Sequence, residues 1–484
     1  MKNILIAIRS IFKKGRHNVM KIVSLGIGLA VGLVLIAKVY FEQSYDDFYP
    51  DRDRVYQVWA KYQQNGGELK DYPQTSGGIA PTMQQQIPEI ETVTRYTSFG
   101  DWTFTMTDTK MKYSGRCIIA DSCFFDILPR PMLIGNAKEV LSTPMYVLIS
   151  SRIAKNIGGD VIGKNFTVDN SPGRTMTIGG VFEEVPENSH SRYDVIVSMA
   201  SAGRFMWEGS PTNMLGNDRY ISYVKLHKGV NPLALEEQVR TFVNSYFPPE
   251  EQQKVGLSID FSFHKLDNLH KELPQVKRMT WILSLLAFAL IFTAVMNYIL
   301  IVISSIVNRS KEVAVHKCYG ASENNIHGMM FGEALVHIVL SLILALLLIL
   351  AFRGTVEELL ATSLDSLLLS NGSLVLLGIC ILVFFVSGFM PGSLYARIPV
   401  ASAFRNYREN KRIWKKALLL VQFVATGFLV TMLVFVARQY TFMVNDRPGY
   451  AYENLAYCGL AGVDSTSRAK ILDEVMRLPG VAAA

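Results

Sequence analysis

The stretch Gly158 to Lys164 has the G-x-x-x-x-G-K spacing with which backbone amides and a lysine cradle phosphates, but Asn165 stands where a Ser or Thr would hold magnesium. The match fails at the metal, and a turn before a strand explains the same glycines. The eight histidines are scattered; His264 and His270 show no ligand spacing with Cys or acid, and H-E-x-x-H does not occur, so no metal site is expected. No Cys-x-x-Cys is found among the five cysteines. Without a G-x-S-x-G elbow or a comparable nucleophile motif, the chain is not expected to be an enzyme.

Two other groups could do work. The stretch from Arg309 to Ser322, RSKEVAVHKCYGAS, reads as a short amphipathic helix. Val313 and Lys317 share a face, Gly320 supplies the C-terminal stop, and Ser322 with Asn324 and Asn325 starts the next helix. From the residues alone, a basic segment lying against a membrane is an equally open reading. Glu333 and His337 stand four apart in an apolar run and so share a helix face. Ionisable groups inside a membrane are functional candidates, while a Glu333 at the interface, bonded to neighbouring helix ends, is the plainer account.

The elements that must carry these residues follow from hydropathy. Half of the 484 residues are hydrophobic and only 18% are charged, the mean hydropathy is above zero, and the apolar residues gather in long runs. Five spans are predicted: Ile22 to Ala37, Met279 to Val307, about Met330 to Phe352, about Leu374 to Tyr395, and Ala417 to Ala437. Lys21 and Lys38 bracket the first and can snorkel toward headgroups. Gly28 and Gly32 within it have the spacing that lets another helix approach. No small-residue cleavage site follows, so an uncleaved anchor is expected. The second run is longer than a hydrocarbon core of about 30 Å requires, so it must tilt or project.

The net charge of +7 lies beside these runs. Lys2, Arg9, Lys13, Lys14, Arg16 and Lys21 precede the first span with no acid among them, and residues 397–416 are basic, whereas Arg353 to Ser373 is acidic. This is a positive-inside pattern with a cytoplasmic N-terminus, not a nucleic-acid surface. The fold class expected is therefore an α-helical multispan membrane protein with a large α/β extracytoplasmic domain.

The domain plan has residues 1–41 as basic N-terminus and first span, and residues 42–278 as the extracytoplasmic domain. Residues 279–398 hold three spans with the cytoplasmic helix 309–322, 399–416 form a basic linker, 417–437 the fifth span, and 438–484 the start of a second outer domain. In residues 42–278, Val55 to Trp59 and Thr175 to Ile178 read as strands and Leu233 to Tyr246 as an amphipathic helix. Cys117 and Cys123 fall there, either as a disulfide or as two buried thiols. If the architecture repeats, the fifth span corresponds to the first and the chain is part of a longer protein.

Residues 309–322 resemble the coupling-helix motif of FtsX/MacB-like ABC transporter permeases, roughly R-x-K-E-I-G-V-R-K-x-x-G-A-S. Arg309, Lys311, Glu312, Val313, Val315, Lys317, Gly320, Ala321 and Ser322 fit, while Ala314 and His316 depart from the commoner Gly and Arg. Asp46 to Tyr56 resembles the family's lead-in to its outer domain, and Gly159 to Lys164, Gly180 to Phe182 and Pro186 to His190 resemble that domain's centre. Gln422-Phe423 and Pro448-Gly449-Tyr450 resemble the start of a second repeat.

The resemblance implies a bacterial inner-membrane permease subunit without its own cofactor, coupled through Arg309, Lys311, Glu312, Val313, Lys317, Gly320, Ala321 and Ser322 to a cytoplasmic ATPase dimer that binds ATP and magnesium. It further implies mechanotransmission to the outer domain, export or extraction of a substrate there, and a second permease half, either a C-terminal repeat or another copy. A periplasmic adaptor or substrate protein is a further expected partner. Two other readings stay open: an FtsX-like signalling subunit that activates a cell-wall hydrolase, and a receptor with no ATPase.

Overall fold

The computed structural model describes residues 17–168, 171–369, 372–396, 399–400, 413–445, 455–457 and 465–482. The cations of residues 2–16, Arg397, residues 401–412 of the basic linker, and Asp446 to Tyr450 lie outside them. The chain divides into two compact units. One is helical and combines residues up to Gln43 with Pro274–Leu455; the other is α/β and holds Ser44–Leu273 with the C-terminal residues from Ala456.

Helix α1, Asn18–Gln43, is longer than the apolar run that predicts it. In the α/β unit, eleven strands among the described residues form one mixed sheet. They are β1 (Val55–Gln64), β2 (Lys70–Tyr72), β3 (Ile90–Met106), β4 (Lys112–Ala120), β5 (Met132–Ile134), β6 (Tyr146–Ser150), β7 (Asn165–Val168), β8 (Ser171–Phe182), β9 (Val195–Ser198), β10 (Ile221–Leu226) and β11 (Leu257–Lys265). The order is β11-β1-β10-β3-β4-β9-β6-β8-β5, with β2 beside β1 and β7 bridging β3 and β8. The β4–β9 and β6–β8 pairs are parallel and the rest antiparallel, the mixture expected of an α/β fold.

Strand β3 serves two cores. Its first residues, Ile90 and Val93, are packed with Met83 of α2 (Ile79–Gln86) and with Val239 and Phe242 of the sheet-covering helix; its last, Trp102 to Met106, are packed with Phe166, Met176 and Ile178. The turn from α3 (Ser151–Ile157) to β7 is the Gly158 to Lys164 stretch, in which Lys164 faces Asp108 at 3.9 Å. The expected helix over Leu233 to Tyr246 is a 3-10 turn, Pro232–Leu235, followed by α4, Glu236–Tyr246. Asn231 caps that turn by accepting from the Leu233 amide at 3.1 Å. Cys117 and Cys123 are both free. Burial inside the core pushes the Cys117 thiol up, and Cys123 Sγ donates to the Val93 carbonyl at 3.1 Å.

The helical unit continues with α5 (Pro274–Ser304), α6 (Ile306–Cys318), α7 (Glu323–Ala351), α8 (Arg353–Leu360), α9 (Leu364–Leu368), α10 (Ser373–Ala396) and α11 (Ile413–Asn445). Five of these described helices, α1, α5, α7, α10 and α11, are long and apolar enough to cross a membrane. The second run does not continue to Val307: α5 stops at Ser304 and α6 starts after Ser305, whose hydroxyl donates to the Val302 carbonyl at 2.6 Å and meets Tyr395 Oη at 3.1 Å. Thirty-one residues still reach about 46 Å.

Helix α1 lies against both α5 and α7 through glycines. A Cβ on Gly28 would stand 2.2 Å from the Cβ of Ala294, and one on Gly32 would stand 2.4 Å from Ile291 Cγ1, both on α5. A Cβ on Gly26 would stand 2.9 Å from Leu344 of α7. Gly-x-x-x-Gly therefore marks a real close crossing here.

The expected snorkelling of Lys21 and Lys38 is corrected by this packing. Lys21 is fully buried, with Nζ 3.1 Å from Asn18 Oδ1 and 3.6 Å from Glu333 of α7. Lys38 is buried too, 2.7 Å from Glu42 and 2.7 Å from the Thr362 hydroxyl. Each cation is covered and has a counter-charge, Lys21 from the neighbouring helix α7 and Lys38 from Glu42 one turn along α1 with Thr362 of a loop beside it, which is less costly than an unpaired charge in a dry interior.

Candidate functional site

The charged stretch between α5 and α7 folds as α6, and its sequence explains both its seat and its end. Ser310, Val313 and Ala314 are buried, the last two in the apolar core of the bundle. Lys311, Val315, His316 and Ser322 are exposed, and Glu312, Lys317 and Ala321 are partly covered. The Arg309 side chain lies outside the described residues. On the face expected for Val313 and Lys317, Val313 is fully buried against the bundle and Lys317 partly covered, because the apolar side of a short amphipathic helix is what holds it.

The helix terminates at Gly320, at φ +86. The Gly320 amide donates to the Lys317 carbonyl at 3.0 Å and the Ala321 amide to the His316 carbonyl at 3.0 Å, the paired bonds of a Schellman stop. A residue with a Cβ is strained at that φ. Ser322 then caps α7 by accepting from the Asn325 amide at 3.4 Å. The turn leaves Tyr319 89% exposed. Sequence reasoning passed over Tyr319; the available signal was a large aromatic placed just before the stop, where the helix turns away from its neighbours.

Behind α6, Glu333 and His337 are both buried on α7. They share a helix face, and each also reaches a second helix. Glu333 meets Lys21 of α1, and His337 Nδ1 lies 3.2 Å from the hydroxyl of Tyr298 on α5. Each ties α7 to a different helix. Lys21 and Tyr298 are the partners that sequence reasoning did not assign.

The α/β unit has its own polar centre, built around Asp46 close to where the chain enters it. Asp46, fully buried at φ +61, accepts from the Ser189 hydroxyl at 3.1 Å, from the His190 amide at 3.3 Å, and faces His190 Nδ1 at 2.7 Å. His190 Nε2 in turn meets the hydroxyl of Tyr223, whose acidity burial suppresses well beyond the ordinary range. The segments Asp46 to Tyr56 and Pro186 to His190, singled out separately in the sequence, are thus one structure.

The inbound segment is also fastened to the outbound one. Lys271 Nζ lies 2.8 Å from Asp267 and 3.2 Å from Asp47, and Arg52 reaches the same two carboxylates at 3.8 and 3.4 Å. Tyr45 stacks on His270 with ring centroids 3.4 Å apart. Burial works against ionisation of Asp267, but the Lys271 and Arg52 cations prevail and hold its carboxyl below the usual range. Hydrogen bonds from Arg54 and Lys225 do the same for Asp51. Burial likewise opposes the Lys271 charge, yet Asp267 and Asp47 raise it above the usual ammonium value.

Comparison with known proteins finds two family regions in the chain. Residues 20–242 match the MacB-like periplasmic core domain, and residues 284–400 match the FtsX-like permease C-terminal domain. Similar solved structures include a domain of a permease protein from Porphyromonas gingivalis, at 33% identity over 45% of this chain and 91% of that one, with a TM-score of 0.42. The periplasmic region of MacB from Actinobacillus actinomycetemcomitans is 15% identical over 45% and 91%, at TM-score 0.31. The extracellular domain of the noncanonic ABC-type transporter YknZ from Gram-positive bacteria is 11% identical over 42% and 98%, at TM-score 0.30. None of the curated proteins matches the chain. With five helices able to span a membrane, a large α/β domain and both family regions in order, the chain is a multi-pass membrane protein that belongs to the MacB/FtsX-like permease family.

Proposed function

We propose that this chain is the transmembrane subunit of an ABC transporter in the bacterial inner membrane, with its N-terminus in the cytoplasm and its work driven by a separate ATPase dimer. The observation that carries the reading is α6, a charged, largely exposed helix inside the FtsX-like region, seated by Val313 and Ala314 and stopped at Gly320. The exposed Tyr319 and Val315 offer a partner an aromatic and apolar anchor, and Lys311, Glu312 and Lys317 a charged rim around it, the arrangement that protein interfaces favour. Arg309, Ala321 and Ser322 complete the segment that would sit in the ATPase groove.

ATP and magnesium belong to that partner. Closure of the ATPase pair would push α6, and α5 would carry the displacement, since it follows the outer segment at Leu273 and precedes α6 after Ser305. The α/β domain then moves a substrate onward from the outer side, which is mechanotransmission rather than passage through the bilayer. A second permease half, from a C-terminal repeat or another copy, completes the machine, and a periplasmic adaptor or substrate protein would meet the outer domain.

The test is to purify the full-length protein from native membranes in mild detergent as wild type, Gly320→Pro and Tyr319→Ala, and to identify what copurifies. An ABC ATPase is expected with the wild type, is lost with Gly320→Pro, and is reduced with Tyr319→Ala at unchanged thermal stability. If the ATPase is absent from every sample, the receptor reading replaces this one.

A further inference from the structure

The junction between α5 and α6 is a soft point in the chain. Ser304 and Ser305 stand there side by side, and each turns its hydroxyl back on its own helix: Ser304 donates to the Ile301 carbonyl at 2.8 Å and Ser305 to the Val302 carbonyl at 2.6 Å. Such back-bonding at neighbouring serines bends helices. The Ser305 amide also goes to the Val302 carbonyl, at 3.2 Å, which is the tighter turn that marks hinges inside long helices. By itself this joint would let α6 swing on α5.

A third helix closes it. Tyr395, in the last turn of α10, is fully buried; its hydroxyl donates to that same Val302 carbonyl at 3.1 Å and meets Ser305 Oγ at 3.1 Å. A phenol in an apolar core holds such a bond firmly, because a buried hydroxyl left without a partner is costly. The joint and the seated side of α6 share one apolar core with Tyr395, through Val302, Val313 and Ala314.

The end of α10 that carries Tyr395 is itself held. Pro391 gives the helix ladder no amide, but the glycines on either side of it receive side chains of α7. A Cβ on Gly388 would stand 2.6 Å from Phe331, and one on Gly392 would stand 2.7 Å from His327, whose ring stacks on Phe389 with centroids 5.9 Å apart. Because α7 starts at the turn that ends α6, both ends of α6 are tied to one frame. Its first end is held through Tyr395 and α10, and its last through Gly320 and α7.

We propose that Tyr395 is a positioning residue for coupling: it braces the joint at Ser304 and Ser305, so that a displacement delivered to α6 passes into α5 instead of being taken up by bending between them. The source of that displacement rests on the transporter reading above, whereas the brace rests on the geometry of the helical unit.

Hydrogen exchange tests the two separately. In the full chain in mild detergent, without nucleotide, Tyr395→Phe should speed amide exchange about fivefold at residues 303–310, as loss of one buried hydrogen bond predicts. Tyr298→Phe removes another buried tyrosine hydroxyl, one that meets His337 instead, and should leave that window unchanged. In the complex with the ATPase, ATP with vanadate should alter exchange at residues 274–284 in the wild type. That response should be lost in Tyr395→Phe while the same amount of ATPase copurifies and residues 311–321 respond as in the wild type. Exchange at 303–310 that is unchanged in Tyr395→Phe, or raised equally by Tyr298→Phe, would overturn the brace. A Tyr395→Phe complex that responds like the wild type at 274–284 would overturn its part in coupling. Absence of an ATPase from the wild-type preparation would overturn the transporter reading, and exchange in the chain alone would still decide the brace.

Discussion

Helix α6, which follows α5, buries Ser310, Val313 and Ala314 and leaves Lys311, Val315, His316 and Tyr319 in the open. The segment that precedes α5 is built the other way. There Lys271 and Arg52 share two carboxylates, Tyr45 stacks on His270, and Asp46 is buried among three donors. On the function proposed above, the first is the surface an ATPase would grasp and the second the tie through which a displacement would enter the domain, so the comparison sets exposed groups against paired ones on either side of one helix.

Asp46→Ala should show the largest effect, because it strands the Ser189 hydroxyl, the His190 amide and the His190 ring around an empty acceptor. The expected cost is about 3 kcal/mol of stability in the α/β domain, read as a lower melting midpoint. Tyr319→Ala should leave that midpoint where it is; an equal loss in both variants would break the comparison. Gly28→Ile tests the helix between the two regions, since its side chain would drive α1 away from Ala294 at about 1–3 kcal/mol. Lower thermal stability in detergent is the readout.

Gly320→Ala should cost about 1 kcal/mol, confined to α6. Hydrogen exchange should rise at residues 313–321 and not at 44–54, while less ATPase copurifies. The smallest effect is that of pH on the outer fastening. Asp51 and Asp267 titrate lower in the folded chain than in the unfolded one, so their contribution is present above about pH 4 and lost as pH falls through their folded values. Lys271 has the opposite sign: its contribution is present below its unfolded value and lost as pH rises through the folded one. These groups are partly exposed, so each effect should stay within about 1 kcal/mol. Asp267→Asn should flatten the acid limb of a melting-against-pH series.

Much of this molecule was legible along the chain. The apolar runs locate the five helices, although α1 extends past its run at both ends and α5 and α7 begin before theirs, because polar residues at a helix end still join its hydrogen-bond ladder. The stop at Gly320 and the close crossing at Gly28 and Gly32 could be read because both depend on a missing side chain at one position. Lys21 and Lys38 were misread as snorkelling for a general reason: sequence shows that a cation lies near the end of a span, not that a neighbouring helix or loop covers it.

What the sequence determined by itself is local. Hydrophobic period, helix stops and charge bias are set by residues within a turn or a span of one another, and they suffice for the number of spans, the α/β character of the outer domain and the position of α6. What only the tertiary structure decided is pairing across distance. Asp46 finds His190 from 144 residues away, Lys21 finds Glu333, and the Arg116 amide finds the Asp194 carboxylate. Each of these depends on which surfaces are buried against each other, and a charge or hydrogen-bonding group acquires its role only when burial removes water and leaves a particular partner in its place.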